Sequence, residues 1–242
     1  MAKSLEEWVT TDVSPFRDRP IAWLSQFHFF RDPTRPSYSD TSYFFSPADG
    51  ILLYQEVVGP QEPILDIKGR RYSPRDVLRD DGFERDSLVI AIFMTFFDVH
   101  VNRIPFPGRL SYRLAEPVDS CNYPMLEVEE QLLAELQVSL RSLTYLHNNQ
   151  RVINRIDSAR LPGSYYVVQI ADYDVDSITP FELRQHQPCS QGERFSQIRY
   201  GSQVELLIPI SDRYELELLQ PVGFHVEAGV DPLVAVRRPP AL

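Results

Sequence analysis

Hydrophobic positions in this chain come in short runs. GILLYQEVV (50–58), LVIAIFMTF (88–96), SYYVVQIA (164–171), QVELLIPI (203–210) and YELELLQPV (214–222) are rich in β-branched and aromatic residues and are separated by Gly, Pro, Asp and Ser. Runs of that length and composition predict strands, and their close succession predicts antiparallel pairing. The expectation is an α+β, mainly β fold: antiparallel sheets in a small barrel-like core with a few helices, in one domain spanning 1–242. One segment departs from the pattern. In LEVEEQLLAELQVSLRSLTYLH, Glu129, Leu132, Leu133, Leu136, Leu140, Leu143 and Leu146 fall largely on one stripe at helical spacing, which predicts an amphipathic helix over 126–147. Such a helix packs on the sheet or on a second copy of the chain; its few basic residues suit a lipid headgroup layer poorly. Before the first strand, Pro15, Pro20, Pro33 and Pro36 exclude a long helix and predict a loop-rich segment laid over the core. At the other end, glycine turns in VGFHVEAGVDPLVAV predict a capped barrel segment.

With 242 residues, 43% of them hydrophobic, and 14 Phe and 12 Tyr, the chain can fill one sizeable core. A formal charge of −10, from 34 acidic and 24 basic side chains, opposes binding to nucleic acid. The longest apolar run, LVIAIFMTFF, is about half of a bilayer span and reads as a buried strand. The opening MAKSLEEWVTTDVSPF lacks the charge-then-apolar order of a signal peptide, so a cytoplasmic location is expected, with at most peripheral contact with a membrane. Cys121 and Cys189 lie outside any C-x-x-C spacing, which predicts free thiols and neither a disulfide framework nor a metal centre.

Three stretches carry chemistry. In SPADG (46–50) a tight turn presents Asp49 next to a strand; a carboxylate there is by itself an ordinary turn former. FFDVHVNRIP (96–105) places Asp98, His100, Asn102 and Arg103 directly after an apolar strand, where alternation would gather them on one face. A carboxylate and an imidazole on adjoining strands are the parts of a general base. The third stretch is IRYGSQVEL (198–206), where Gly201 interrupts a strand pattern directly before Ser202. Glycine packs nothing in a strand, but its carbonyl is unshielded, and Ser202 supplies a nucleophile beside it.

Taken in order, SPADG, FDVHVNR, NNQRV (148–152), VVQIA (167–171) and the GERF-to-IRYGS stretch (192–202), together with HFFRDPTR (28–35), resemble the phosphatidylserine decarboxylase family. The resemblance implies a self-cleaving proenzyme in which Ser202 attacks the Gly201 carbonyl. Cleavage would leave a β chain 1–201 and an α chain 202–242 whose first residue becomes a pyruvoyl group, the cofactor. It also implies that His100 takes the Ser202 proton, with Asp49 holding its tautomer, and later returns a proton to substrate carbon. Asn102, Arg103 and Gln169 are candidate substrate contacts. The implied substrate is an amine-bearing carboxylate, phosphatidylserine, giving phosphatidylethanolamine and carbon dioxide. The alternatives are the same chemistry on a soluble amino acid or its derivative, and a non-catalytic family member. One departure bears on this choice. Where the family commonly has glycine after QIA, this chain has Asp172, Asp174 and Asp176 at spacing two, an acidic face if the strand continues.

Overall fold

A run such as SLVIAIFM, without one charge, is stable as a strand when both its faces are covered. In the computed structural model, which describes residues 1–140, 142–174, 176–200 and 202–237, the Ser87–Met94 strand is buried at every position. Ser202–Pro209 is likewise buried throughout. These two lie side by side in an eight-stranded sheet. Its order is Gln187–Cys189, Gly108–Ala115, Arg151–Asp157, Ser164–Ala171, Ser202–Pro209, Ser87–Met94, Gly50–Val58 and His225–Val226, and every neighbouring pair is antiparallel. The sheet is open, not a closed barrel, and it is covered on both faces. Trp8, Phe29, Tyr72, Phe93 and Tyr145 pack on one side; Phe44, Ile92, Phe106, Tyr165 and Leu206 pack on the other.

Two three-stranded sheets flank it. One joins Ile178–Pro180, Arg194–Ile198 and Val101–Arg103; the other joins Tyr43–Phe45, Pro232–Arg237 and Glu215–Leu218. VGFHVEAGVDPLVAV is therefore divided between the central sheet and the second flanking sheet. IRYGSQVEL is divided as well. Ile198 ends a strand of the first flanking sheet, and Ser202 begins a strand at the middle of the large one. What reads as one interrupted strand is the link between two sheets.

The helix expected over 126–147 is corrected by the structure. It runs only from Leu126 to Glu135 and ends at Leu136, which is left-handed at φ 51°. A separate turn follows at Tyr145–Asn148. Leu132, Leu143 and Leu146 are buried, whereas Leu136 and Leu140 are 41% and 38% exposed. Two pieces pack on the same core, and the leucines between them face water. The proline-rich N-terminal segment does stay short in its elements, with helical turns over 5–13 and 21–28.

Gly50 of SPADG has a steric reason to be glycine. A Cβ there would stand 2.2 Å from the Phe93 carbonyl oxygen, and its φ of 150° lies where L side chains are rare. The turn can thus press its backbone onto the Ser87–Met94 strand and fix Asp49 at the strand's edge.

Candidate active site

Ser202 heads the Ser202–Pro209 strand and pairs with Met94 on one side and Ala171 on the other. Its side chain is fully buried. The hydroxyl's partner is soft: Oγ donates to the Met94 sulfur at 3.3 Å. A thioether is a weak acceptor, so little holds the hydroxyl in place. Upstream, Tyr200 has φ 63°, an uncommon conformation for an aromatic residue. Gly201, between them, lies outside the described residues.

His100 is fully buried beside the link between sheets. Its Nε2 lies 2.9 Å from the Thr95 carbonyl and its Nδ1 3.1 Å from the Ile198 carbonyl. The Ile198 N–H in turn donates to the His100 carbonyl at 3.1 Å. Phe29 stacks on the ring at 4.5 Å and meets Tyr200 edge-on at 6.4 Å. Burial pulls the His100 pKa below its ordinary value, against the pull of the Thr95 carbonyl and the Asp98 charge. The ring is therefore neutral near pH 7 and donates to one carbonyl only. Its other nitrogen is the one able to accept a proton. No hydrogen bond joins His100 to Ser202 among the described residues.

The expected pairing of Asp49 with His100 is not what the structure draws. Asp49 takes both arms of Arg35, each at 2.6 Å, and the Ala228 N–H at 2.8 Å. Both side chains of this ion pair are nearly inaccessible. Burial would lower the Arg35 pKa, but the Asp49 carboxylate more than restores it. Asp49 thus ties the N-terminal segment to the 228–231 loop. The carboxylate–imidazole pair that does form is Asp98 with His225, at 2.7 Å.

Nor do the four polar residues of FFDVHVNRIP share one face. Asp98 sits in a turn. Asn102 points into the interior, where its Oδ1 accepts from Gln169 Nε2 at 2.6 Å and its Nδ2 approaches the Met94 sulfur at 3.6 Å. Arg103 turns away to Asp32 at 2.8 Å and to the Gly192 carbonyl. Asn102 therefore reaches the sulfur that Ser202 contacts, Gln169 holds Asn102 from behind, and Arg103 does neither. Gln169 also lines a cleft of about 150 Å³ with Tyr112, Asn154, Ile178 and Ser196. A larger cleft of about 640 Å³ lies around Arg85, Arg155 and Ser164, at the other end of the strand that pairs with Ser202 through Ala171.

One residue at this site escaped the sequence reading. Arg31, noted only as part of HFFRDPTR, donates to the carbonyls of His28, Phe97 and Asp98 at 2.7, 2.5 and 3.1 Å. It makes no carboxylate ion pair among the described residues, so a positive charge is left available beside His100. The helix Leu126–Glu135 spans the Ser202 end of the sheet. Asp172, next to Ala171, accepts from Met125 N–H at 2.8 Å, and Glu129 accepts from Phe96 N–H at 3.0 Å. Since Ala171 and Met94 are the two neighbours of Ser202, the helix is tied to the chain beside both of them.

The acidic strand face is also corrected. The strand ends at Ala171, Asp172 is buried, and Asp176 sits at φ 58° in a turn. Burial raises the Asp172 carboxyl to about 6, opposed by the N–H groups of Met125 and Tyr173. That value lies above the roughly 3.9 of an unfolded aspartate, so folding favours the protonated form. The cost of the charge is fully present above about pH 6 and vanishes as the pH falls toward about 4. Asp172→Asn keeps the accepting oxygen and is expected to be more stable than wild type at pH 8, by at most about 3 kcal/mol. Paired melts should show that advantage disappearing in mildly acidic buffer.

Comparison with known proteins adds to the geometry. A family model described as phosphatidylserine decarboxylase matches residues 25–231. The phosphatidylserine decarboxylase proenzyme of Pelagibacter ubique is 32% identical over 181 residues, covering 74% of this chain and 67% of that protein. Two archaeal proteins are named, provisionally, archaetidylserine decarboxylase proenzymes. That of Methanothermobacter thermautotrophicus is 30% identical over 194 residues, covering 78% of this chain and 71% of its own length. That of Methanocaldococcus jannaschii is 28% identical over 217 residues, covering 89% and 91%. The open sheet with a buried serine heading its central strand is thus the framework of a decarboxylase. The chain belongs to the phosphatidylserine decarboxylase family, whose members are carboxy-lyases.

Proposed function

We propose that the protein is a pyruvoyl-dependent decarboxylase that makes its own cofactor at Ser202 and acts on the serine headgroup of a phospholipid, phosphatidylserine being the leading substrate. The observation that carries the reading is the position of Ser202. It is a buried hydroxyl with a soft partner, at the link between two sheets, following a left-handed Tyr200. His100, turning from one of its carbonyl partners, takes the Ser202 proton. The oxygen attacks the Gly201 carbonyl, and the peptide becomes an ester. Loss of the Cα proton expels the Gly201 carboxylate and leaves a double bond in residue 202. Water then replaces the nitrogen, which departs as ammonia.

The site fits the group so formed. Conversion removes the residue 202 N–H and one weak O–H···S contact and leaves 203–207 paired on both sides. The small chain therefore stays in the sheet after cleavage, held by its neighbours and by both cores. A pyruvoyl group supplies the electron sink that a decarboxylation requires. Around it, the chain's own residues orient the substrate. The Arg31 charge favours an anion next to His100, and Asn102 with Gln169 offers neutral amide donors and acceptors near Met94. His100 later returns a proton to the substrate carbon.

The names of the relatives support the serine headgroup and differ in the lipid that bears it. A bilayer substrate also calls for contact with a membrane surface. No helix among the described residues is long and apolar enough to cross one. Carbon dioxide release from vesicles containing phosphatidylserine, against free serine and phosphoserine, tests the substrate. Release from vesicles alone supports the reading, whereas faster release from a soluble amino acid assigns the same chemistry to a soluble metabolite.

A further inference from the structure

His225 lies far in sequence from Asp98 and His100, yet it is buried against the turn that supports His100. Its Nε2 is 2.7 Å from Asp98 Oδ1, and both side chains are almost wholly inaccessible. The other oxygen, Asp98 Oδ2, accepts from the Thr95 N–H at 2.7 Å and from the Thr95 hydroxyl at 2.8 Å. The Asp98 N–H closes the same turn onto the Thr95 carbonyl at 3.1 Å, and that carbonyl is the 2.9 Å partner of His100 Nε2. A continuous path thus runs from His225 through Asp98 and Thr95 to the ring that moves the proton. His225 is itself fixed: Trp8 stacks on it at 5.2 Å, and its backbone pairs with Lys3 on one side and Ile51 on the other.

We propose that His225 is a positioning residue for His100, holding Asp98 so that the Thr95–Asp98 turn presents the carbonyl that sets the His100 ring. The inference rests on the role given to His100 above. The electrostatics agree with the geometry. Burial alone would lower the His225 pKa, but Asp98 overcomes it, with smaller contributions from Asp49 and Asp12, and the net direction is upward. Burial alone would raise Asp98, but His225 and the Thr95 donors bring it below its ordinary value. The pair is an internal ion pair. Removing one member leaves the other's charge buried without a partner, a large perturbation next to His100. Asp98 and Arg31 are the charged groups that face His100, and their influences on it oppose each other.

The test compares His225→Ala, His225→Gln, Asp98→Asn and the double variant His225→Ala/Asp98→Asn. In the His225→Gln variant the side-chain amide nitrogen reaches the place of Nε2. His225→Ala should slow both self-processing and kcat about tenfold, as expected when a reacting group is displaced, with KM within about twofold of wild type. The glutamine variant should restore most of the loss, and the double variant should be no slower than the worse single one. If His225→Ala lowers only the melting temperature and leaves both rates unchanged, or if the two losses multiply, the proposal is wrong. Should the variants fail to fold, the single-chain Ser202→Ala protein with 15N-labelled histidines gives a second reading. The His225 ring should remain doubly protonated above the ordinary histidine range, and a ring neutral at pH 6 overturns the proposal. That measurement stands whether or not phosphatidylserine is the substrate.

Discussion

Ser202→Ala is expected to remain one chain and to release no carbon dioxide from any substrate, while folding as well as the wild type. The two halves of this expectation come from the same contact. In the proposed mechanism the hydroxyl is the nucleophile at the link 201–202, so its removal abolishes processing and with it the electron sink. Yet what it gives up in the fold is a 3.3 Å contact to the Met94 sulfur, weaker than an ordinary hydrogen bond worth about 1 kcal/mol. The strand retains its ladder with Ser87–Met94 and Ser164–Ala171. Denaturing gels followed over days, with melting curves alongside, check both halves. A variant that still divides into two chains would place the nucleophile elsewhere.

His100→Ala is expected to slow processing by about two orders of magnitude or more, the usual worth of a positioned proton acceptor. The pH dependence adds a sharper signature. A base acts in its unprotonated form, and burial holds the His100 pKa below the ordinary histidine value of 6.5. Wild-type processing should therefore already be on its plateau at pH 7 and decline only at lower pH. A rate still climbing between pH 7 and 8 would point to a different group. His100→Ala removes the ring that Phe29 stacks upon, so a modest loss of stability is expected too. Processing rates are best measured well below the variant's melting temperature.

The strands were legible because a β-run needs only its own side chains to announce itself. GILLYQEVV and SYYVVQIA coincide with the strands that form. The leucine stripe of 126–147 misled because helical spacing continued past the point where the backbone turned. Leu143 and Leu146 are buried in or beside a second short helix, while Leu136 and Leu140 stay exposed. Ser202 and His100 were visible through motif order. Their partners were not. His225 and Asp98 are joined by a contact that no local pattern encodes, and Arg35 takes the carboxylate that the family resemblance assigned to His100. Glu205 is a further case. In QVELLIPI it reads as the polar phase of a strand, yet it is fully buried and bound by Tyr54, Tyr72 and Gln203. Such a network is tolerated only when its members are satisfied, and it depends on distant segments meeting.

The same tertiary view changes the meaning of IRYGSQVEL. Ile198 ends a strand of the flanking sheet and Ser202 begins one at the centre of the large sheet, so a break between them costs neither sheet a strand. The most direct test of self-processing at this link is the intact mass of the purified wild-type protein after incubation at neutral pH. Two chains that travel together in native conditions are expected, the smaller beginning at residue 202 and lighter by one ammonia than the fragment that retains serine there. A single unbroken chain that nevertheless releases carbon dioxide would contradict the mechanism.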